Sequence, residues 1–389
     1  MSTKTETAPT NVREVLRYAE SQREKMIADI RELVELESPS SDKQAVDRCG
    51  QFIQEYFAAL GGRVKRHRQR SAGDQLQIDF AGFRGRAPIL LLGHFDTVWD
   101  VGTLASMPFR QDKGRLWGPG VFDMKSGIVI AAHAIAALRE LNGRLPRPIT
   151  VLLNPDEEVG SETSRELTEE LARKSAAVLV LEPAQGLDGK AKTARKGVGD
   201  FTVKVRGAAA HSGLDFEKGQ NAVVELARQI DRIAGFTDLS RALTVSVNIV
   251  RGGTKGNVVP AEASADIDVR IGKLKDGAAI DKKFRALRPL NRKCKLEVTG
   301  GINRPPLERT KAVALLYELA RDIYAELGSE LGEAAVGGGS DGNFTGALGI
   351  PTLDGLGAVG EGAHANNESV LISELPKRVA LVAGMIART

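Results

Sequence analysis

Short apolar segments of strand length alternate with segments of helical period in the first half of the chain, and this alternation restricts the fold more than any other feature. Residues 89–92 form a continuous apolar run, as is typical of a strand buried on both faces of a sheet, and residues 149–153 and 177–181 predict two further strands. Helical spacing predicts helices at 11–36, 42–60, 128–141 and 164–174. The order of these elements predicts a mostly parallel sheet with helices on both faces.

The pattern changes near residue 197 and returns near residue 307. The intervening segment predicts strands at 201–205, 243–250, 263–271 and 295–298, with helices at 221–233 and 278–287. That β-α-β-β-α-β order is the ferredoxin-like pattern. Because 389 residues exceed what one core usually accommodates, we predict an α/β domain (1–196 and 307–389) interrupted by an α+β domain (197–306).

Composition favours an ordinary globular protein, with 42% hydrophobic and 27% charged residues. The net charge of +4 is small and the basic residues are scattered, so a nucleic acid partner is not expected; the basic stretch 63–70 predicts an exposed edge strand. Two cysteines are too few for a disulfide framework, and Met1–Thr10 lacks the apolar core of a signal peptide. We therefore expect a cytoplasmic protein with no membrane-spanning segment and no membrane partner.

Seven acidic or imidazole side chains lie close to predicted strand ends or helix starts: His94, Asp96, Asp123, Glu157, Glu158, Glu182 and His364. In open parallel sheets, ligands bind at the carboxyl ends of the strands. Singly, each residue has a structural explanation, such as a packed histidine, a helix cap or a solvated acidic turn. Together, carboxylates and imidazoles in this mix suit zinc, and a carboxylate can bridge two ions.

Six segments, taken in order, resemble the motif series of one zinc metallopeptidase family. They are His94–Val98, Gly118–Gly127, Asp156–Glu158, Glu182–Pro183, Ala209–Gly213 and Gly338–Asp341. The family includes glutamate carboxypeptidase, acetylornithine deacetylase, succinyl-diaminopimelate desuccinylase and aminoacylase-1, and the segments 97–109 and 304–306 resemble the glutamate carboxypeptidase branch most. The resemblance implies a three-layer α/β/α zinc-exopeptidase-type catalytic domain with an inserted ferredoxin-like dimerisation (lid) domain.

The resemblance also implies two Zn²⁺ ions per protomer, for which Co²⁺ or Mn²⁺ are substitutes. The implied ligands are Asp123, bridging both ions, His94 and Glu182 on one ion, and Glu158 and His364 on the other. Asp96 is expected to orient His94, and Glu157 is expected to act as the general base that moves a proton from water to the leaving amine. The peptide bond between Asp123 and Met124 is expected to be cis.

Five further residues, all carried over from the resemblance, are expected to contact the substrate. His211, reaching in from the partner protomer of a homodimer, and Asn257 would approach the scissile carbonyl, where donors stabilise a developing oxyanion. Arg270 and Arg304 would grip a substrate carboxylate, and the backbone at Gly339 would add a second contact. A surface salt bridge for each arginine and a surface-loop position for His211 are the alternatives.

The predicted function is hydrolysis of an amide bond beside a free carboxylate, which releases a C-terminal amino acid, with glutamate as the first expectation. An N-acyl-amino-acid deacylase shares the same metal site and differs only in its pocket. A non-catalytic peptide-binding relative would have lost a ligand or Glu157, and none is lost here. The G-x-G-x-x-G match at 355–360 follows only a short strand and precedes no evident helix, so a nucleotide site is not expected.

Overall fold

The computed structural model describes residues 10–83 and 85–389. The N-terminal stretch Met1–Thr10, for which no signal peptide was predicted, therefore lies almost entirely outside the described residues. Over the described residues there are ten α-helices: α1 (Val12–Ser21), α2 (Arg23–Glu35), α3 (Lys43–Ala59), α4 (Ser126–Asn142), α5 (Arg165–Arg173), α6 (Ala222–Ala234), α7 (Leu274–Arg285), α8 (Lys311–Glu326), α9 (Gly342–Ala347) and α10 (Leu375–Arg388).

The strands of the same described residues are β1 (Arg63–His67), β2 (Gln75–Phe80), β3 (Ile89–His94), β4 (Arg110–Asp112), β5 (Arg115–Trp117), β6 (Ile149–Asn154), β7 (Ala177–Val180), β8 (Ala191–Arg195), β9 (Gly197–Arg206), β10 (Thr244–Gly252), β11 (Glu262–Ile271), β12 (Lys295–Arg304), β13 (Glu333–Val336), β14 (Thr352–Leu353), β15 (Gly360–Glu361) and β16 (Ser369–Leu371).

The chain divides into two compact units. The first comprises the described residues up to Ala194 together with Arg309–Ala335 and Ser340–Thr389, and the second comprises Arg195–Glu308 and Val336–Gly339.

The first unit is built on a six-stranded sheet in the order β1-β2-β6-β3-β7-β14. Strand β3 pairs in parallel with both β6 and β7, and β14 pairs in parallel with β7, as the alternation of strands and helices predicts. Strand β2 pairs with β6 in the antiparallel sense, and β1 lies at the sheet edge, which confirms the edge position of the basic stretch. The carboxyl ends of the parallel strands consequently meet at one edge.

Alternate residues of β3 enter two different hydrophobic clusters. Ile89 and Leu91 pack with buried residues of α1, α2, α3, α4, α8 and α10, whereas Leu90 and Leu92 pack with Leu171 of α5 on the other face. Burying both faces of one strand in this way requires the continuous apolar sequence of β3. The three-layer α/β/α architecture is therefore confirmed.

Helix α4 and the turn before it (Val121–Asn142) form a 22-residue segment with mean hydropathy 1.5, which is long and apolar enough to cross a membrane. The prediction that no segment approaches this length was therefore wrong. The segment is 89% buried within the protein, where it packs among the helices of the first unit. Burial on all sides explains its apolar composition.

The second unit is an antiparallel sheet in the order β10-β11-β9-β12, with α6 and α7 packed on one face. The apolar residues that alternate along β9, among them Phe201, Val203 and Val205, face this core. On the same face, Phe201 stacks on Phe284 of α7 with ring centroids 4.0 Å apart. The chain order β-α-β-β-α-β and the spatial order confirm the predicted ferredoxin-like unit.

Candidate metal centre and substrate-binding groups

The first unit brings all five expected metal ligands together at the carboxyl edge of its parallel strands. His94 is the last residue of β3, Glu158 follows β6 and Glu182 follows β7. Asp123 lies in the turn before α4, and His364 lies in a loop after β15 with a left-handed φ of 60°. Strand ends, a helix start and a loop thus converge on one place.

The two carboxylate oxygens of Asp123 face different histidines. Its Oδ1 lies 3.3 Å from Nε2 of His94, and its Oδ2 lies 3.5 Å from Nε2 of His364. His94 Nε2 is also 3.3 Å from Glu182 Oε1, and His364 Nε2 is 3.1 Å from Glu158 Oε2. The cluster therefore has two halves, each with one imidazole and one glutamate, which share the carboxylate of Asp123.

The electrostatics of the cluster call for additional positive charge. Burial on its own lowers the pKa of His94, but hydrogen bonds to Asp123 and its neighbouring carboxylates raise that pKa well above its usual value. Hydrogen bonds to Asp123 and Glu158 likewise raise the pKa of His364 to about 10. The surrounding carboxylates therefore favour a positive charge at both imidazoles. Metal ions supply the same positive charge, so this donor set fits divalent cations.

Asp96 is fully buried and connects the histidine to the acidic loop. Its Oδ1 lies 3.3 Å from Nδ1 of His94. Its two oxygens accept hydrogen bonds from the backbone amides of Glu157 and Glu158, both at 3.2 Å, and Oδ2 accepts a third from Ser40 Oγ at 2.6 Å. Asp96 therefore fixes both the imidazole of His94 and the backbone of Glu157 and Glu158.

Glu157 lies beside two of the expected ligands, His94 and Glu182. One carboxylate oxygen of Glu157, one ring nitrogen of His94 and one carboxylate oxygen of Glu182 lie within 4.8 Å of one another. A second group, with one such atom each from His94, Asp123 and Glu158, meets the same limit. Glu157 and Glu158 form a single 3-10 turn with Val159 directly after β6. This turn therefore places Glu157 beside Glu182 and Glu158 beside Asp123.

The turn that carries Asp123 has the expected backbone geometry. The Asp123–Met124 peptide bond is cis, which confirms that prediction. Lys125, which is almost fully buried, donates from Nζ to the backbone oxygens of Leu33 and Leu36 at 2.9 and 2.6 Å and so satisfies carbonyl groups at the end of α2.

Sequence reasoning missed Glu368, which is fully buried beside this turn. Its carboxylate accepts hydrogen bonds from the backbone amides of Gly120, Phe122 and Asp123 and from Trp99 Nε1, at 2.8 to 3.0 Å. The only local signal was its position four residues after His364, within an Asn-x-Ser sequence that resembles a glycosylation site.

Arg270 and Arg304 lie on either side of the same residue in the sheet of the second unit. Val198, at the start of β9, is in register with Arg270 of β11 on one side and with Arg304 of β12 on the other. Residues in register on adjacent strands share a face, so both guanidinium groups belong to one face and one end of this sheet. Gly339 lies against this pair, because a Cβ at that position would come within 3.0 Å of Arg304 Cδ and 3.3 Å of Val198 Cγ2.

The two arginines have different surroundings. Arg270 is half-buried and forms three hydrogen bonds of 2.8 to 3.0 Å to the carboxylate of Asp268, two residues before it on β11. Arg304 is 5% exposed. A substrate carboxylate at Arg270 would therefore compete with Asp268 or share the guanidinium with it.

His211 and Asn257 lie in neighbouring loops of the second unit. The backbone amide of Ser212 donates to the backbone oxygen of Asn257 at 3.0 Å, and His211 pairs with Val258 in an isolated bridge. Nδ1 of His211 accepts hydrogen bonds from the amides of Gly213 and Leu214. In the neutral imidazole the ring proton is therefore on Nε2.

These two loops lie at the opposite end of the sheet from the arginine pair. Val198 is at the start of β9, whereas the loop that carries His211 follows its last residue, Arg206. Eight residues of extended strand cover about 26 Å at about 3.3 Å per residue. Within one chain, therefore, a small molecule bound at Arg304 cannot also contact His211.

An α/β/α unit with acids and histidines gathered at the carboxyl edge of its parallel strands defines a metal-dependent hydrolase. More specifically, the chain belongs to Peptidase family M20/M25/M40, whose sequence profile matches residues 90–388. The family resemblance of the motifs is thereby confirmed, and the chain is a hydrolytic enzyme of the metallocarboxypeptidase and amide hydrolase type.

Individual relatives agree with this assignment. The chain is 32% identical to carboxypeptidase G2 from Pseudomonas sp. (strain RS-16) over 369 residues, which cover 93% of this chain and 88% of that protein. It is 30% identical to acetylornithine deacetylase from Myxococcus xanthus over 188 residues, which cover 45% of this chain and 47% of that protein. Among solved structures, a tripeptidase from Staphylococcus aureus subsp. aureus Mu50 shares the fold, with a TM-score of 0.79, 21% identity and coverage of 94% of this chain and 98% of that one.

Proposed function

We propose that this enzyme is a dinuclear zinc hydrolase that removes a C-terminal amino acid, with glutamate as the first expectation, from a peptide or an N-acyl amino acid. The observation that carries the proposal is the division of the Asp123 carboxylate between His94 and His364. Such an arrangement suits a carboxylate that bridges two ions. Co²⁺ and Mn²⁺ are the expected substitutes for Zn²⁺.

The proposed ligands are grouped by the distances within the cluster: His94, Glu182 and Asp123 for one ion, and His364, Glu158 and Asp123 for the other. Bound metal ions would polarise the scissile carbonyl and lower the pKa of water in the site. Asp96 would keep His94 in the tautomer whose Nε2 lone pair faces the ion, because its carboxylate lies against Nδ1.

Glu157 is proposed as the general base. Its carboxylate would take a proton from the attacking water and deliver it to the nitrogen of the leaving amino acid. Its backbone is fixed by Asp96, and its side chain lies next to His94 and Glu182. A base held in this way needs little rearrangement between the two proton transfers.

Recognition of the substrate carboxylate is assigned to the arginine pair. Arg304 and Arg270 share one face of the sheet, and the backbone of Gly339 lies close to the side chain of Arg304. A guanidinium group offers a carboxylate two parallel hydrogen bonds. Arg304 is more deeply buried than Arg270, and a charge-assisted pair is stronger away from water, so Arg304 is proposed to contribute more to substrate affinity.

We further propose that the enzyme is a homodimer in which His211 and Asn257 serve the active site of the partner protomer. The separation of about 26 Å along strand β9 between the arginine pair and these loops supports this, because one chain cannot present both groups to one small substrate. Nε2–H of His211 and the amide of Asn257 are the proposed donors to the developing oxyanion. In this arrangement residues 197–306 form the dimerisation and lid domain.

An N-acyl-amino-acid deacylase is the second candidate. It is favoured by the similarity to acetylornithine deacetylase, and it requires no change in the metal site. The two activities differ in the group on the acyl side of the scissile bond.

Cytoplasmic residence also stays a proposal. Cys49 and Cys294 are both buried and free, which fits a reducing compartment.

The experiment is a hydrolysis screen of the zinc-loaded enzyme on dipeptides and N-acyl amino acids, with amino acid release as the readout. A strong chelator should abolish turnover and added zinc should restore it. Glu157→Gln should keep the metal content but lose at least about a thousandfold in kcat, since the proton carrier is gone. Asp123→Ala should lose metal as well. Near-normal turnover by Glu157→Gln would show that another group is the base.

A further inference from the structure

The buried carboxylate of Glu368 connects three segments that carry proposed metal ligands. Oε1 accepts hydrogen bonds from the amides of Phe122 and Asp123 at 2.9 and 3.0 Å. Oε2 accepts hydrogen bonds from the amide of Gly120 at 2.9 Å and from Trp99 Nε1 at 2.8 Å. Four N–H donors on one carboxylate fill both oxygens, and none of them is a cation.

The chain around Glu368 reinforces these contacts. Its own amide donates to the oxygen of Ala365, whose amide donates to Gly362, so the turn that carries His364 is closed by hydrogen bonds of 2.9 Å. Strand β16, which follows Glu368 directly, pairs with β5, the strand just before the Gly118–Gly120 turn. The turn with His364, the turn with Asp123 and the segment from His94 to Trp99 consequently meet at this carboxylate.

The backbone of the Asp123 turn has few other ways to satisfy its amides. Asp123 and Met124 have non-helical φ/ψ angles, so the amides of residues 120–123 stand at the start of α4 without the regular pattern of helical hydrogen bonds. A buried amide without an acceptor is costly. The amide of Val121 donates to the backbone oxygen of Gly118, whereas the amides of Gly120, Phe122 and Asp123 find their acceptor on a side chain 245 to 248 residues away in the sequence. The position of Asp123 is therefore determined by Glu368 as well as by its neighbours in the chain.

We infer that Glu368 is a positioning residue for the reaction: it holds the Asp123 carboxylate midway between His94 and His364, so that one side chain can serve both metal ions. It does not contact the reacting atoms itself. This inference rests on the proposed function in one respect, namely that Asp123 is a shared metal ligand.

The test measures metal affinity, by competition with a chromophoric chelator, together with the visible absorption spectrum of the Co²⁺-loaded enzyme. In Glu368→Gln, an NH₂ group replaces one acceptor oxygen and faces backbone N–H groups. Affinity for at least one ion should fall roughly 10- to 100-fold, as is usual when the partner of a metal ligand is lost. The Co²⁺ spectrum should change, and kcat should fall more than KM rises.

Glu225 provides a matched control in the second unit. It is also buried, and its carboxylate accepts hydrogen bonds from the amides of Leu290 and Asn291 at 2.8 and 2.9 Å. Glu225→Gln removes an equivalent contact far from the metal ligands in sequence, so it should lower the melting temperature but leave metal affinity and the Co²⁺ spectrum unchanged. Trp99→Phe removes only one donor from Glu368 and should reduce metal affinity by less than Glu368→Gln.

The outcomes separate the possible failures. Equal metal affinity and an unchanged Co²⁺ spectrum in Glu368→Gln, with only a lower melting temperature, would make Glu368 a purely structural residue and overturn the inference. If Glu368→Gln does not fold, Trp99→Phe decides the matter in the same measurements, because an unchanged metal affinity there removes the support. A wild-type enzyme that binds no metal would instead refute the proposed function.

Discussion

Asp96 accepts a hydrogen bond from the backbone amide of Glu157 at 3.2 Å, so the orienting partner of His94 also fixes the proposed base. Asp96→Asn should therefore weaken two functions at once, because its NH₂ group would face an N–H donor or the imidazole. We expect metal affinity and kcat to fall, each roughly 10- to 100-fold. Chelator competition and steady-state kinetics measure the two effects.

Ser40→Ala is the matched control for this prediction. Ser40 donates to Oδ2 of Asp96, so its removal leaves the contacts of Asp96 to His94 and to the acidic loop in place. The effect of Ser40→Ala on kcat should be well below that of Asp96→Asn. Equal losses in the two variants would mean that the Asp96 carboxylate acts through general packing.

Substrate recognition is tested at Arg304. Arg304→Ala should raise KM for a substrate with a free α-carboxylate roughly 10- to 100-fold, because a charge-assisted pair in a buried position is lost. An amidated analogue cannot form this pair, so its kcat/KM should change little. Arg304→Lys keeps the charge without the two-pronged fit and should lie between wild type and Arg304→Ala. A similar loss on both substrates would point to damage of the fold.

The sequence predicted that His94, Glu158 and Glu182 lie at strand ends because each follows a mostly apolar run closely; His94, for example, ends β3 after the run 89–92. It missed Glu368 because the partners of that side chain are about 245 residues away and no local pattern joins them. The predicted end of β12 at residue 298 was also wrong, since the strand continues to Arg304. A glycine at position 300 is typical of a strand end in a sequence. In the structure, Gly300 has a φ of 86° and permits close contact with Asp200 of β9, so the strand continues past it. Tertiary pairing decided both cases.

A mixed dimer tests whether His211 acts on the partner protomer. Protomers with His211→Ala lack the proposed oxyanion donor, and protomers with Glu157→Gln lack the proposed base. After subunit exchange, half of the dimers are mixed and each has one intact site, so about one quarter of wild-type activity should appear. Mass spectrometry verifies the exchange. A mixture that exchanges but stays inactive would exclude action in trans.

The last prediction concerns the stability of the first unit at acidic pH. Asp29 of α2 is buried and accepts hydrogen bonds from Lys25, Tyr56 and His133 at 2.7 to 2.8 Å. Burial on its own raises the pKa of Asp29, but these hydrogen bonds outweigh it and lower that pKa below the usual value of 3.8. A lowered pKa in the folded state stabilises the protein above the unfolded pKa, and this contribution is lost as the pH falls below about 4.

Asp29→Asn should therefore destabilise the protein at pH 7 by about 2 kcal/mol, the magnitude for hydrogen bonds to a charged group. The difference in melting temperature from wild type should shrink as the pH falls below about 4, toward the lowered pKa of Asp29. Glu24→Gln, at an exposed position of the same helix, is the control and should change the melting temperature little at any pH. A gap between Asp29→Asn and wild type that stays constant down to pH 3 would contradict the prediction, because it would not depend on the charge of Asp29.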